Sequence, residues 1–216
     1  MTKNTIALLK KYFSRFPITK YSKGDIIYKP GDKLKHIAFV KSGFVRLYTK
    51  NGEHETTLNL FRPLFMSTMS QVMSSHPNSY YVEALTSCEI WNAPKEEFLA
   101  YLKEDSKLND KLMGFFFNSV MQLLNNQSNI ISGNATNKVA TVLLQLAFDY
   151  GQMKENHLQV PFPATHRVLA TLIGLTRETT SVQMSKLQKM GIITTKRASF
   201  TVLSLDKLKK LSLLKE

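Results

Sequence analysis

Between residues 24 and 60, short apolar runs alternate with polar turn signals. The runs DIIYK (25–29), HIAFVK (36–41) and FVRLYTK (44–50) are rich in Ile, Val, Tyr and Phe. They are punctuated by Gly24-Asp25, Pro30-Gly31-Asp32, Ser42-Gly43 and Asn51-Gly52. β-Branched and aromatic residues suit a pleated, half-buried surface, and the Gly and Pro dipeptides reverse the chain. The spacing therefore predicts antiparallel hairpins. YYVEALTSCEIWNA (80–93) predicts two further strands, so the first part of the chain is expected to be an antiparallel β-roll.

The pattern changes at Ala93-Pro94. PKEEFLAYLKED predicts a short helix with Pro94 at its first turn, where a missing N–H costs nothing. From Ser106 to about Ile131 the apolar period is helical. Met113, Phe117, Val120, Leu124, Gln127 and Ile131 form one stripe, and Leu112, Phe116, Leu123 and Ile130 a second beside it. One stripe would suffice to pack the helix on its own β-roll. Two suggest that it also buries a face against the same helix of a second copy, although a central helix of a monomer would carry them too. Ser132-Gly133-Asn134 breaks this helix, and ATNKVATVLLQLAFDYGQ starts another that closes near Gly151. QMKENH is expected to be a polar connector and HLQVPFP a short extended piece. The expected class is α+β: a β-roll over residues 1–105, a long dimerisation helix over 106–133 and a DNA-binding domain over 134–216.

The last of these rests on residues 165–210. THRVLATLIGL predicts a helix with Val168, Leu169, Leu172 and Ile173 apolar, ending at Gly174, whose permissive backbone suits a tight turn between helices. Thr176 is placed to cap the next helix with its hydroxyl. Along that helix Thr180, Met184 and Leu187 share one side, while Arg177, Glu178, Ser181, Val182 and Ser185 share the other. A packing face would not select Arg, Glu and two serines. A face entering the major groove would: Arg reads guanine acceptors in two bonds, Glu accepts from the cytosine amino group, and Val meets a thymine methyl. Lys186, Lys189 and the basic pair Lys196-Arg197 are placed for phosphates. GIITTKRASFTVLSLDKL then reads as strand, basic turn, strand and terminal helix, which is a wing behind a helix-turn-helix. The competing reading is a helical hairpin with a solvated outer face.

Charge agrees with a polyanionic partner. Of the 216 residues, 29 are Lys or Arg and 16 Asp or Glu, a formal net charge of +13. Residues 157–216 hold ten basic side chains against three acidic ones. A solvated basic surface would give the same balance. The single cysteine, Cys88, excludes an intrachain disulfide and a cysteine cage for zinc or iron–sulfur. No apolar run approaches the roughly 20 residues that span a bilayer, and MTKNTIALLKKYFSRF lacks the features of a signal peptide. A cytoplasmic protein with no membrane partner, no metal and no cofactor is expected. The five histidines are scattered, and no nucleophile–base pair or phosphate-cradling glycine loop appears, so catalysis is not expected.

On these residues the chain resembles the Crp/Fnr family of bacterial transcription regulators. TRETTSVQMSKLQKMGII is similar to that family's recognition-helix signature, and KGDIIYKPGDKLKHIAFVKSGFVRLY resembles the opening of its cyclic-nucleotide-binding-type β-roll. The resemblance implies a homodimer joined by the long helix, bound to double-stranded DNA with two-fold related half-sites and in contact with RNA polymerase. Arg177 and Glu178 match the family's base-reading pair, whereas Val182 stands where the family usually has another Arg. Members that bind cyclic AMP hold its ribose with a Gly-Glu pair and its phosphate with an Arg-Ser segment. Here those places carry Ser67-Thr68 and Asn78-Ser79. An unpaired buried phosphate is costly, so control by cyclic AMP is not expected. A haem reading would lean on His76, a lone loop histidine. Phe65, Ser67, Thr68, Asn78, Ser79 and Tyr80 are the candidate pocket for an unknown small effector, within a stretch rich in Met and aromatic residues that could equally fill its own core. The alternative function is a sensor or interaction protein of this fold with weak or no DNA binding.

Overall fold

The computed structural model describes the backbone of residues 1–74, 76–155, 157–196 and 199–214, and their side chains except for Gln122 and residues 125–132. The chain divides into two units, residues 1–122 and 123–216.

The first unit begins with α1 (Lys3–Phe13), started by the Thr2 side chain, which accepts from the Thr5 N–H at 3.3 Å. Then come β1 (Ile18–Tyr21), β2 (Ile26–Tyr28), β3 (His36–Ser42), β4 (Val45–Asn51), β5 (His54–Phe61), β6 (Phe65–Met66), α2 (Met69–Met73), β7 (Tyr81–Ala84), β8 (Cys88–Pro94), α3 (Lys95–Glu104) and the start of α4 (Ser106–Ser132). The strands form two antiparallel sheets, ordered β1-β8-β3-β6 and β2-β7-β4-β5. The expected hairpin strands are thus present.

Strand β3 explains why HIAFV shows no polar alternation. Ala38 and Val40 face a cluster with Ile27, Val45, Leu47, Phe61, Val82 and Ile90 inside the roll. Ile37 and Phe39 face the opposite way, into a cluster with Leu9, Phe13, Trp91, Phe98, Leu108 and Leu112. Successive side chains of a strand point to opposite faces, and here both faces are covered. The second layer comes from α1, α3 and the first turns of α4; Phe13 stacks on Phe39 with ring centroids 4.7 Å apart. Neither α1 nor the edge strand β1 was signalled by the sequence pattern. Strand β1 has mostly exposed side chains and is held by its backbone pairing to β8.

Two features of the roll are set by single residues. Gly43, at φ 86°, passes so close to β8 that a Cβ there would lie 2.5 Å from the Cys88 Sγ, so both its backbone and its space exclude other residues. Arg46, on the face of β4 opposite Val45 and Leu47, is only 3% exposed. Its Nη2 donates to Glu83 at 2.6 Å and to Glu55 at 2.8 Å, and the guanidinium lies 4.0 Å from the centroid of the Tyr48 ring.

Helix α4 spans 27 residues, about 40 Å at 1.5 Å per residue. Leu108 and Leu112 turn into the roll's outer cluster. Met113, Phe116, Phe117, Val120, Met121, Leu123 and Leu124 are all exposed in the single chain. The exposed set therefore draws on both predicted stripes. The side chains of Gln127, Ile130 and Ile131 lie outside the described residues.

The second unit holds the rest of α4, then α5 (Ala135–Tyr150), β9 (Gln152–Lys154), β10 (His157–Val160), α6 (His166–Ile173), α7 (Arg177–Lys189), β11 (Ile193–Lys196), β12 (Ser199–Val202) and α8 (Leu205–Leu211). Asn134 caps α5 by accepting from the Asn137 N–H at 3.0 Å, and Thr165 caps α6 by accepting from Val168 at 3.2 Å. Val139, Ala140, Leu143, Leu144 and Ala147 of α5 are buried, as are Phe162, Leu169, Met184, Leu187, Phe200 and Leu208. The four strands form one sheet, ordered β11-β12-β10-β9.

That sheet corrects one expectation. QMKENH is not a simple connector, because Gln152–Lys154 forms β9, paired with β10 from His157↔Lys154 to Gln159↔Gln152. Strand β9 lies at a sheet edge with every side chain exposed, so it has no apolar alternation to reveal it. Among the described residues no helix is long and apolar enough to cross a membrane.

Candidate nucleic-acid interface

Helices α6 and α7 are joined by a three-residue turn at Gly174, whose left-handed backbone (φ 65°) stops α6. Leu175 then donates back to the Ala170 carbonyl at 3.1 Å. Thr176 stands just outside α7 in an extended conformation, and its hydroxyl oxygen accepts from the Thr179 N–H at 3.1 Å. An exposed backbone donor is thus satisfied and the start of α7 is fixed. At the other end Gly191, at φ 64°, closes the helix, and Ile192 donates to the Leu187 carbonyl at 3.1 Å.

Between these caps the helix has two sides. Thr180, Met184 and Leu187 are buried, and the Thr180 hydroxyl is satisfied by the Thr176 carbonyl at 2.9 Å. Arg177, Glu178, Ser185, Lys186 and Lys189 are exposed, Val182 is 62% exposed, and Ser181 is half-buried. Glu178 sits in the first turn and Lys186 and Lys189 in the last, each matching the sign of the helix dipole at its end. A helix held from behind by Thr180, Met184 and Leu187 presents arginine, a carboxylate, hydroxyls and a methyl-bearing side chain to solvent.

The wing follows. Strands β11 and β12 pair from Ile193↔Val202 to Lys196↔Ser199, which places Lys196 at the end of the hairpin, exposed. Arg197 lies outside the described residues. The Gln188 amide donates to the Thr195 hydroxyl at 2.9 Å and ties α7 to β11. Sequence patterning did not find this contact, because a Gln–Thr pair across two elements has no periodic signature.

The candidate effector residues fall differently. Thr68 is fully buried, and its hydroxyl accepts from the Ala38 N–H at 2.9 Å and donates to the His36 carbonyl at 3.3 Å. Asn78 uses both amide protons on the carbonyls of Lys29 (2.7 Å) and Tyr80 (2.8 Å), and its oxygen accepts from the Tyr80 N–H at 3.2 Å. Both side chains are therefore engaged in holding the roll's own backbone. Ser67 is buried with a hydroxyl that has no partner among the described residues. Phe65 is half-buried and packs on Phe61 and Phe115 at ring distances of 5.4 and 5.3 Å, Tyr80 is half-buried, and Ser79 is exposed. His76 is exposed too. Among the described residues no group of three His, Cys, Asp or Glu is placed to hold a metal ion.

Comparison with known proteins agrees with this architecture. Residues 137–211 match the family model of the Crp-like helix-turn-helix domain, and residues 18–105 match that of the cyclic nucleotide-binding domain. The chain belongs to the Crp/Fnr family of transcription regulators. Among its Crp/Fnr relatives, the HTH-type transcriptional regulator ArcR of Staphylococcus epidermidis is 23% identical over 190 residues, covering 87% of this chain and 82% of the relative. The structure of FixK2 from Bradyrhizobium japonicum superposes with a TM-score of 0.79 at 18% identity, covering 93% of this chain and 99% of that one. A CooA mutant from Carboxydothermus hydrogenoformans gives 0.78 at 21% identity, covering 97% and 96%. At these identities the two structures speak for the Crp/Fnr fold alone.

Proposed function

We propose that the protein is a sequence-specific DNA-binding regulator that works in the cytoplasm as a homodimer and is not controlled by cyclic AMP. Residues 1–105 act as a sensor-type β-roll, 106–133 join the two copies, and 134–216 bind double-stranded DNA. The observation that carries the proposal is the exposed face of α7: Arg177, Glu178, Val182 and Ser185 on a helix whose opposite side is buried and whose ends are capped. Arg177 and Glu178 read base edges, with Ser181, Val182 and Ser185 beside them. Thr176, Lys186, Lys189, Lys196 and Arg197 hold phosphates and fix the register. RNA polymerase is the further partner of such a regulator.

Dimerisation through α4 is supported by its row of exposed Met, Phe, Val and Leu side chains. A row of that length on a soluble chain calls for a cover, and a second copy supplies an identical one. Independence from cyclic AMP is supported by Thr68 and Asn78, whose polar groups are engaged with the backbone and bring neither the carboxylate nor the cation that a ribose phosphate needs. The test is binding of labelled genomic fragments at several salt concentrations, with and without cyclic AMP. Tight binding to few fragments, weakening steeply with salt and indifferent to cyclic AMP, is expected. Equal binding to all fragments, or binding that requires cyclic AMP, would overturn the proposal.

A further inference from the structure

One side chain outside α7 grips that helix from α5. Thr136 is the second residue of α5, two positions after the Asn134 cap. Its hydroxyl donates to the Gln183 Oε1 at 2.7 Å, and its oxygen faces the Lys186 Nζ at 3.4 Å. Gln183 and Lys186 are three residues apart, so they lie on one ridge of α7, between its buried and its exposed sides. Thr136 therefore holds α7 at its margin, where a bond resists rotation about the helix axis.

The platform that carries Thr136 is itself fixed. The Asn137 side-chain amide donates to the Leu211 carbonyl at 2.9 Å, and the Thr141 hydroxyl accepts from the Leu213 N–H at 2.8 Å. The first two turns of α5 are thus tied to the end of α8 and the residues just after it. Behind α7, Thr180, Met184 and Leu187 set its depth, and such packing contacts resist rolling less than a directional bond does. The Gln188–Thr195 bond restrains the C-terminal end of α7, and Thr136 restrains its middle. A roll of about 10° moves a side-chain tip about 6 Å from the axis by roughly 1 Å. That displacement exceeds the roughly 0.5 Å window of good hydrogen-bond distances.

We infer that Thr136 is a specificity-determining positioning residue: its hydroxyl sets the roll of α7 through Gln183 and aims Lys186, so that Arg177 and Glu178 meet base edges in register. The inference rests on the DNA-binding reading above. Thr136 itself needs to touch no base. Loss of its hydroxyl should harm contacts that depend on angle, those to bases, and spare contacts that depend on charge, those to phosphates.

The test compares Thr136→Val, which keeps the shape and removes the hydroxyl, with Thr136→Ser, which keeps the hydroxyl. Each full-length variant is titrated with a selected operator and with random duplex of the same length, over a range of salt. Thr136→Val should bind the operator about tenfold more weakly, by analogy with loss of one hydrogen bond in each of two subunits. Its affinity for random duplex should stay within about twofold, and its slope against log salt should be unchanged because no charge is removed. Thr136→Ser should match the parent on both DNAs. Adding Gln183→Leu to Thr136→Val should cause no further loss if the two act as one unit. The inference is overturned if Thr136→Val still prefers the operator as the parent does, if it loses both DNAs equally, or if Thr136→Ser fails as badly as Thr136→Val. A parent protein that prefers no duplex at all would overturn the DNA-binding reading itself, and the inference with it.

Discussion

Phe117→Ala should cut dimer affinity by about a thousandfold. Phe117 is 61% exposed in the single chain, the most exposed large apolar side chain among the described residues of α4. A buried aromatic residue covers about 200 Å², so roughly 120 Å² remains to be covered at the seam. At about 25 cal/mol per Å² this is about 3 kcal/mol per copy. A two-fold seam uses the residue twice, about 6 kcal/mol in all. Alanine keeps part of that contact and the seam relaxes, which leaves a loss of about 4 kcal/mol, or a factor of roughly a thousand. Within the chain the ring touches little, its ring neighbour being Phe116 at 6.2 Å, so the fold itself should survive. Sedimentation equilibrium across protein concentration reads the dissociation constant, and circular dichroism checks the fold. Leu124→Arg, at a residue 55% exposed, should also give monomers, by placing two like charges near the seam. A Phe117→Ala protein that dimerises as tightly as the parent would refute the assignment of this stripe to the interface.

Other consequences follow from the β-roll. Arg46→Leu should destabilise the protein by about 3 kcal/mol in urea titration, since Glu83 and Glu55 would be left largely buried without their cation; an unchanged midpoint would contradict this. Burial pushes the Tyr28 hydroxyl up to about 12, with smaller contributions from Tyr21 and Asp32. A folded-state value above the unfolded one means the native state binds this proton more tightly, so its contribution is full below pH about 10 and is lost as pH rises toward 12. Tyr28→Phe should therefore flatten the alkaline loss of stability measured by urea midpoint, and an identical alkaline profile would argue against it. Calorimetry with cyclic AMP should show no micromolar binding site; a saturable micromolar isotherm would show that the roll finds its charge partners elsewhere.

The sequence was most legible where local chemistry and tertiary packing ask for the same residue. Gly174 and Gly191 take left-handed backbone at the ends of α6 and α7, and Thr176 caps α7, as a local pattern can announce. The period of α4 was visible because nine apolar side chains recur along its two stripes. Periodicity could not say that Leu112 turns into the roll's outer cluster while Phe116, one turn later, remains exposed, because that depends on where the roll ends. Strand β9 was hidden because its stability comes from backbone bonds to β10, which leave no trace in side-chain polarity. The family resemblance points to Asn78 and Thr68 as pocket residues, yet their hydrogen bonds go to the backbone of Lys29, Tyr80, Ala38 and His36. Thr136 and Gln183 stand 47 residues apart and meet only because α5 packs against α7.

The central claim is that the outer face of α7 reads sequence, and Arg177→Ala measures it most directly. Fluorescence anisotropy should follow parent and variant on an operator selected from random duplex pools and on unselected duplex, at matched salt. Each base contact is worth about 1–3 kcal/mol of discrimination, and a dimer makes it twice. Arg177→Ala should therefore weaken the operator by at least about thirtyfold while changing random duplex only a few-fold. Lys196→Ala should instead weaken both and flatten the salt slope by about one charge per subunit. Equal loss on operator and random duplex for Arg177→Ala would mean that this face supplies affinity without reading sequence, and would contradict the account.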